Sequence, residues 1–251
     1  MPATDLLLHA PPLDLLASAS LFLDFDGTLV ELADRPDQVR ADPHLRALLA
    51  RLAGAMPGRV AIVSGRSLAQ LDAMLGDAAD LLALAGSHGA ELRVGGADRP
   101  ATPPAALGGI AARMDAFAAA RSGVVVERKS LGVALHYRLA PTHEADALAL
   151  AETLANEHGL FLQRGKMMGE VRVDGDKGRA IARLGAGAAM AGFRPLVFGD
   201  DLTDEAGFAA AAGLGGAGVL VGEPRATAAV HALPHGAAVR RWLGDALDQA
   251  A

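Results

Sequence analysis

The stretch Leu21-Phe-Leu-Asp-Phe-Asp-Gly-Thr-Leu-Val30 (LFLDFDGTLV) sets two carboxylates one residue apart at the end of an apolar run. An unbroken Leu/Phe run, rather than alternation of apolar and polar residues, predicts a strand buried on both faces, as in a parallel sheet. On an extended chain the side chains of Asp24 and Asp26 lie on one side about 7 Å apart, and Gly27 permits a sharp turn out of the strand. Both then face a shared pocket. Two ionised carboxylates so placed repel each other, so either one keeps a proton or a cation binds between them.

Similar runs recur at Val60-Ala-Ile-Val63, Leu81-Leu-Ala-Leu84, Leu196-Val-Phe198 and Val219-Leu-Val221. Helical patterns separate them, over His44 to Leu52, Ser67 to Leu75, Gly178 to Ala191 and Thr203 to Ala212. Strand alternating with helix predicts an α/β fold with a doubly wound parallel sheet. The middle of the chain reads differently. Val124 to Val126, Leu131 to Arg138, Leu160 to Leu162 and Lys166 to Val173 carry the alternation of a sheet with one open face, interleaved with helices over Pro104 to Ala120 and Thr142 to His158. A smaller α/β module inserted at residues 92–168 between core segments 1–91 and 169–251 accounts for the change.

At 251 residues, 51% of them hydrophobic, the chain is long enough for a sizeable core. A net charge of -6 argues against a surface that neutralises nucleic-acid phosphates. With no cysteine, disulfides, thiolate nucleophiles and zinc–thiolate sites are excluded. The apolar N-terminus lacks the basic start of a signal peptide, since the first basic residue is Arg35, and no uncharged run is long enough for a membrane span. The expectation is a soluble, cytoplasmic monomer that engages neither nucleic acid nor membrane. Only three of the 23 basic side chains are lysines, Lys129, Lys166 and Lys177. Each lysine either marks a place that needs a compact ammonium or stands there by chance.

Other core strands end in equally polar segments, Ser64-Gly-Arg66 and Gly199-Asp-Asp-Leu-Thr-Asp-Glu205, and Lys177-Gly178 opens a helix. In doubly wound sheets ligands bind beyond the C-terminal strand ends, so these segments converge although distant in sequence. Clustered carboxylates call for a hard cation with oxygen ligands, for which magnesium is suited. Lysine, hydroxyl and loop amides call for an anion. Together they point to a phosphate ester.

In order along the chain, Asp24-Phe-Asp-Gly-Thr-Leu29, Ser64, Lys177 and Gly199-Asp-Asp201 resemble the four motifs of the haloacid dehalogenase-like (HAD) phosphohydrolases. The resemblance implies a Rossmannoid core carrying the inserted module as a cap. Within that superfamily, Ser64-Gly-Arg66, Ala85-Gly-Ser-His-Gly-Ala-Glu91, Lys129 to Arg138, Gly165 to Arg172 and Gly199 to Glu205 resemble the trehalose-6-phosphate phosphatases. Ser87 and Asp176 depart from that pattern, which more often has an acidic residue and an asparagine there, and neither is given a role. The resemblance implies hydrolysis of trehalose 6-phosphate to trehalose and phosphate, with Asp24 as the nucleophile that becomes an aspartyl phosphate. Asp26, kept partly protonated by its neighbour, then protonates the leaving sugar and later takes a proton from water. Magnesium is expected on Asp24, the backbone carbonyl of Asp26 and Asp200, with Asp201 or Asp204 in support, and the phosphate on Ser64 and Lys177.

Alternation in the module puts Leu131, Val133, Leu135 and Tyr137 on one face, and His136 and Arg138 on the other. In the same way Lys166, Glu170 and Arg172 point away from Met167, Val171 and Val173. A sheet packed by its apolar face presents a polar face suited to a hydroxyl-rich sugar. The resemblance points to Lys166 and Glu170 as sugar contacts, with Arg66 and His88 near the rim and His136 alongside. Plainer readings stay open: Ser64 or Ser67 caps a helix, Asp204 and Glu205 complement a helix dipole, and His136 and Arg138 are solvated edge residues. Sucrose phosphate and mannosyl or glucosyl 3-phosphoglycerate are alternative substrates. A slowly turning phosphoacceptor module is an alternative of another class, disfavoured by Asp26 and by the large insertion.

Overall fold

The computed structural model describes residues 8–33, 35–99 and 101–250. The chain first forms β1 (Ala19–Leu23), α1 (Pro43–Ala55), β2 (Val60–Val63), α2 (Leu68–Leu75), β3 (Ala83–Gly86), β4 (Glu91–Val94) and β5 (Ala97–Arg99). Then follow α3 (Leu107–Ala119), β6 (Val125–Arg128), β7 (Gly132–His136), α4 (Glu144–His158), β8 (Phe161–Gly165) and β9 (Met168–Arg172). The last part holds α5 (Lys177–Gly185), β10 (Arg194–Gly199), α6 (Glu205–Gly213), β11 (Ala217–Val221), β12 (His231–Leu233) and α7 (Gly236–Ala250).

The larger sheet has the order β12-β11-β10-β1-β2-β3-β4-β5, parallel from β12 through β3 and antiparallel at β4 and β5. The opening stretch becomes β1, fully buried, paired with β10 on one side and β2 on the other. Its alternate residues feed two cores. Leu21 and Leu23 pack with α1, α2 and α7, whereas Phe22 packs with Ile181 and Leu184 of α5 and Phe208 of α6. Helices on both faces explain the unbroken apolar runs of the inner strands. Local signals start the helices: Asp42 accepts the N–H of Leu45 at 2.8 Å ahead of Pro43, and Ser67 and Gln70 form a reciprocal capping box on α2.

The second sheet is antiparallel, ordered β6-β7-β9-β8. Val133, Leu135, Tyr137 and Val171 form its apolar face and pack on Ile110 and Met114 of α3 and on Ala147, Ala151 and Leu154 of α4. This is the α/β core with an inserted smaller module that the sequence predicts, with displaced boundaries. Glu91–Val94 and Ala97–Arg99 pair with the core sheet, and Met168–Arg172 pairs with the module sheet, so the divisions expected at 91/92 and 168/169 move to beyond Arg99 and beyond Arg172. Gly95 and Gly96 both have positive φ, 57° and 76°, and close a two-residue hairpin between β4 and β5. The strand expected at Leu81 to Leu84 begins at Ala83, because Leu81 ends a 3-10 turn. The helix expected to reach Ala191 stops at Gly185, where two glycines, Gly185 and Gly187, weaken its propensity.

Phe198 is fully buried on β10, its ring centroid 5.4 Å from that of Trp242, whose indole N–H donates to the carbonyl of Pro11 at 2.7 Å. Phe198→Ala is expected to cost about 3–5 kcal/mol. Urea unfolding followed by circular dichroism checks this, and a loss under about 1 kcal/mol would contradict the packing described.

Candidate active site

Parallel strands align their C-terminal ends, so β1, β2 and β10 deliver Asp24, Ser64 and Asp200 to one edge, where the first turn of α5 adds Lys177. The module lies over this edge. Between the two lies a cleft with about 880 Å³ of empty space, counting its open mouth. Its floor carries Asp24, Asp26, Ser64, Arg66, His88, Lys177, Asp200 and Asp201, and its roof carries Glu127, Lys129, His136, Lys166 and Glu170.

Lys177 holds the floor together. Its Nζ donates to Asp24 Oδ1 at 2.7 Å and to Asp204 Oδ1 at 2.6 Å, with all three residues buried. Burial pushes the Lys177 ammonium down, but Asp204 and Asp24 outweigh it and its pKa is raised. Asp24 moves well above the usual carboxylate range: burial raises it, Lys177 opposes, and Asp204 and Asp200 add repulsion. Asp200 rises for the same first reason, against the pull of Lys166.

Carboxylate oxygens of Asp24, Asp200 and Asp204 lie within 4.8 Å of one another. A buried, all-oxygen donor set of this kind suits a hard dication such as magnesium. Two glycines make the approach possible. A Cβ on Gly27, which has φ +83°, would sit 2.2 Å from Asp200 Oδ2, and one on Gly199 would sit 2.2 Å from Asp204 Cγ. The backbone N–H of Asp201 donates to Asp204 Oδ2 at 3.0 Å. The Asp201 side chain instead accepts the N–H of Leu202 at 2.6 Å, so its carboxylate lines the cleft apart from the other three.

Asp26 has a partner that spacing does not reveal. Arg66 grips it with a fork, Nε to Oδ2 at 2.8 Å and Nη2 to Oδ1 at 2.7 Å. Arg66 is thus a buried partner of Asp26 and not a rim residue. Ser64, also buried, accepts the N–H of Arg66 at 3.1 Å and faces the cleft, while Ser67 takes the helix-capping role left open between them. Asp176, to which no role was given, caps α5 by accepting the N–H of Arg179 at 2.7 Å. Ser87 donates to Glu91 at 2.7 Å.

His88 is likewise buried, in the left-handed region at φ +56°. Its ring is so close to Gly65 that a Cβ there would lie 2.8 Å away. Nε2 is 3.8 Å from Glu170 Oε2, too long for a hydrogen bond, and neither ring nitrogen has a hydrogen-bond partner among the described residues. Burial lowers its pKa to about 4, and Glu170 only partly opposes this.

The roof residues converge as alternation predicts. Glu170 accepts from Lys129 at 2.6 Å, and Lys129 also donates to the carbonyl of Gly65 at 3.2 Å. Lys166 reaches Asp200 Oδ2 at 2.5 Å, so its ammonium sits on the carboxylate cluster. His136 pairs with Glu127 at 2.9 Å, and Arg138 lines the cleft, so neither is merely a solvated edge residue. Glu127 and Glu170 are both held near pKa 2, where burial is outweighed by His136 and Lys129 for the first and by Lys129 for the second. Sequence reading assigned no site role to Glu127, Lys129 or Gln163. The scarcity of lysine was the available signal for Lys129, since all three lysines line this cleft.

A family profile described as Trehalose-phosphatase matches residues 22–222. The chain is 38% identical over 226 residues to a probable trehalose-phosphate phosphatase of Sinorhizobium fredii, covering 88% of this chain and 84% of that one. It is 38% identical over 213 residues to the trehalose-6-phosphate phosphatase of Escherichia coli, covering 83% and 79%. Among solved structures, a trehalose-6-phosphate phosphatase related protein superposes with a TM-score of 0.77 at 26% identity, over 92% of this chain and 97% of the other. A HAD-superfamily phosphatase of Bacteroides thetaiotaomicron shares the fold, with a TM-score of 0.58 at 16% identity over 92% and 94%.

The buried, neutral His88 makes an acid-side prediction. An unfolded histidine takes its proton near pH 6.5, whereas His88 in the folded chain does so near 4. The unfolded state therefore binds more protons across this window, and stability present above 6.5 is lost as pH falls toward 4. His88→Asn, which tolerates the left-handed backbone and has no titrating proton, is expected to remove about 3 kcal/mol of the pH dependence of unfolding between pH 7 and 4. Urea unfolding at both pH values checks it, and an unchanged slope would contradict the assignment. Glu127 and Glu170, depressed from 4.5 to about 2, continue the loss below pH 4.5 in both proteins.

Proposed function

The chain belongs to the trehalose-phosphatase family, and on that premise we propose that it hydrolyses trehalose 6-phosphate to trehalose and phosphate, a step of trehalose biosynthesis, with magnesium and through an aspartyl phosphate. It is a phosphoric monoester hydrolase. The observation that carries the finer reading is the pairing of floor and roof: buried carboxylates and Lys177 below, a hydrogen-bonding wall above. A phosphate needs the first, and a hydroxyl-rich leaving group needs the second.

Asp24, Asp200 and the backbone carbonyl of Asp26 would hold the magnesium, with Asp204 and Asp201 in support. When bound, the ion supplies positive charge that offsets the phosphate and favours the ionised forms of Asp24 and Asp200. Lys177 fixes Asp24 through Oδ1, while Oδ2 has, among the described residues, only a long contact, 3.4 Å, with the Thr28 hydroxyl. Oδ2 is the oxygen that attacks phosphorus, and Lys177 and Ser64 steady the phosphate oxygens as charge grows on them.

Asp26 protonates the departing sugar oxygen and then takes the proton of the water that cleaves the aspartyl phosphate. The Arg66 fork suits the second role. For the first, Arg66 has an alternative carboxylate in Glu127, 3.5 Å from its Nη1. On the roof, Glu170, Lys129, His136 and Lys166 offer donors and acceptors to sugar hydroxyls, and the module acts as a cap that excludes water.

Asp24→Asn is expected to reduce phosphate release to background, and chelation with EDTA to do the same reversibly. Glu170→Gln is expected to raise KM for trehalose 6-phosphate about tenfold with a smaller change in kcat, as loss of a charged hydrogen-bond partner implies. A panel with sucrose phosphate and mannosyl and glucosyl 3-phosphoglycerate decides the substrate. A preference for any of these overturns the assignment, and turnover by Asp24→Asn overturns the mechanism.

A further inference from the structure

We propose that Gln70 is a positioning residue that clasps the inserted module shut over the core. The two ends of its carboxamide do different work. Oε1 accepts the backbone N–H of Ser67 at 2.9 Å while the Ser67 hydroxyl accepts the N–H of Gln70 at 3.2 Å, closing the box over the first turn of α2. Nε2 donates across the cleft to Glu127 Oε1 at 2.8 Å, on β6 of the module. The amide orientation follows from its partners, since a flipped amide would set its oxygen against the carboxylate.

Leu68, Leu71 and Leu75 bury α2 in the core, and the box holds the Gln70 side chain. Little conformational freedom remains to be lost when the module arrives. Glu127 also accepts from His136 and approaches Arg66, which grips Asp26. A continuous line of polar contacts therefore runs from Gln70 through Glu127 and Arg66 to Asp26, and it exists only while β6 lies against the core. Further bridges between module and core, among them Lys166 to Asp200, Lys129 to the carbonyl of Gly65 and Glu127 to Arg66, involve groups of the reacting site. Gln70 lies outside the carboxylate cluster, so it holds the module without competing for phosphate. The kinetic consequence rests on the function proposed above, whereas the clasp itself does not.

Gln70→Glu isolates the clasp. Glutamate preserves the capping box, yet turns a donor into a carboxylate facing Glu127. Ser67→Ala is the converse control, weakening the box while leaving the donor. Because the chain has no cysteine, spin labels at Ala47→Cys on α1 and Thr153→Cys on α4 report core-to-module distance by electron–electron double resonance.

The expected result is one short distance in the parent and in Ser67→Ala, and a longer population in Gln70→Glu with the open-to-closed ratio raised about tenfold, the loss typical of a hydrogen bond to a charged acceptor. KM for trehalose 6-phosphate should rise about tenfold in Gln70→Glu and stay near the parent value in Ser67→Ala. Identical distance distributions in Gln70→Glu and the parent overturn the clasp. Equal shifts in Gln70→Glu and Ser67→Ala also overturn it, assigning the effect to the helix cap. A shift confined to Gln70→Glu, in a protein whose parent does not cleave trehalose 6-phosphate, supports the clasp and counts against the substrate.

Discussion

The ammonium of Lys177, buried between Asp24 and Asp204, is the interaction on which the arrangement depends. Removing one partner from a buried ion pair leaves an uncompensated charge, which costs several kcal/mol, so three distant parts of the chain are held to one geometry. Lys177 is also the first residue of α5, where a cation opposes the helix dipole. Asp176 offsets that opposition as the cap. The lysine is therefore placed for the site and not for the helix. Gly27 and Gly199 serve the site too, since the absence of a Cβ lets carboxylates lie against the backbone.

Much of the floor was legible in the sequence because parallel strands impose a simple rule: their polar ends meet at one edge. Asp24, Ser64 and Asp200 each follow an unbroken apolar run, and such runs are hard to read as anything but inner strands. What escaped was the pairing of charges within the site. Spacing places Asp26 beside Asp24 but does not say that Arg66, forty positions on, grips it. Nor does periodicity distinguish a rim histidine from His88, whose burial follows from the close packing of Gly65 against its ring.

Part of the roof was legible by alternation, since Glu170 and His136 fall opposite the apolar Val171 and Leu135. Glu127 was missed because its strand is short and flanked by Arg128, so two charged neighbours obscured the period of two. Domain boundaries failed for a related reason. The hairpin of β4 and β5 is polar and edge-lying, yet pairs with the core, while β9 begins at the division expected at 168/169 and pairs with the module. Hydrogen-bond partners, and not hydrophobicity, decide which sheet a strand joins.

The module leaves the core once, after β5, and the chain returns once, ahead of α5. Both seams lie outside the register of β1, β2 and β10, whose ends lead to Asp24, Ser64 and Asp200. Such a layout lets the insert vary in length without shifting the strand register that aligns Asp24, Ser64 and Asp200.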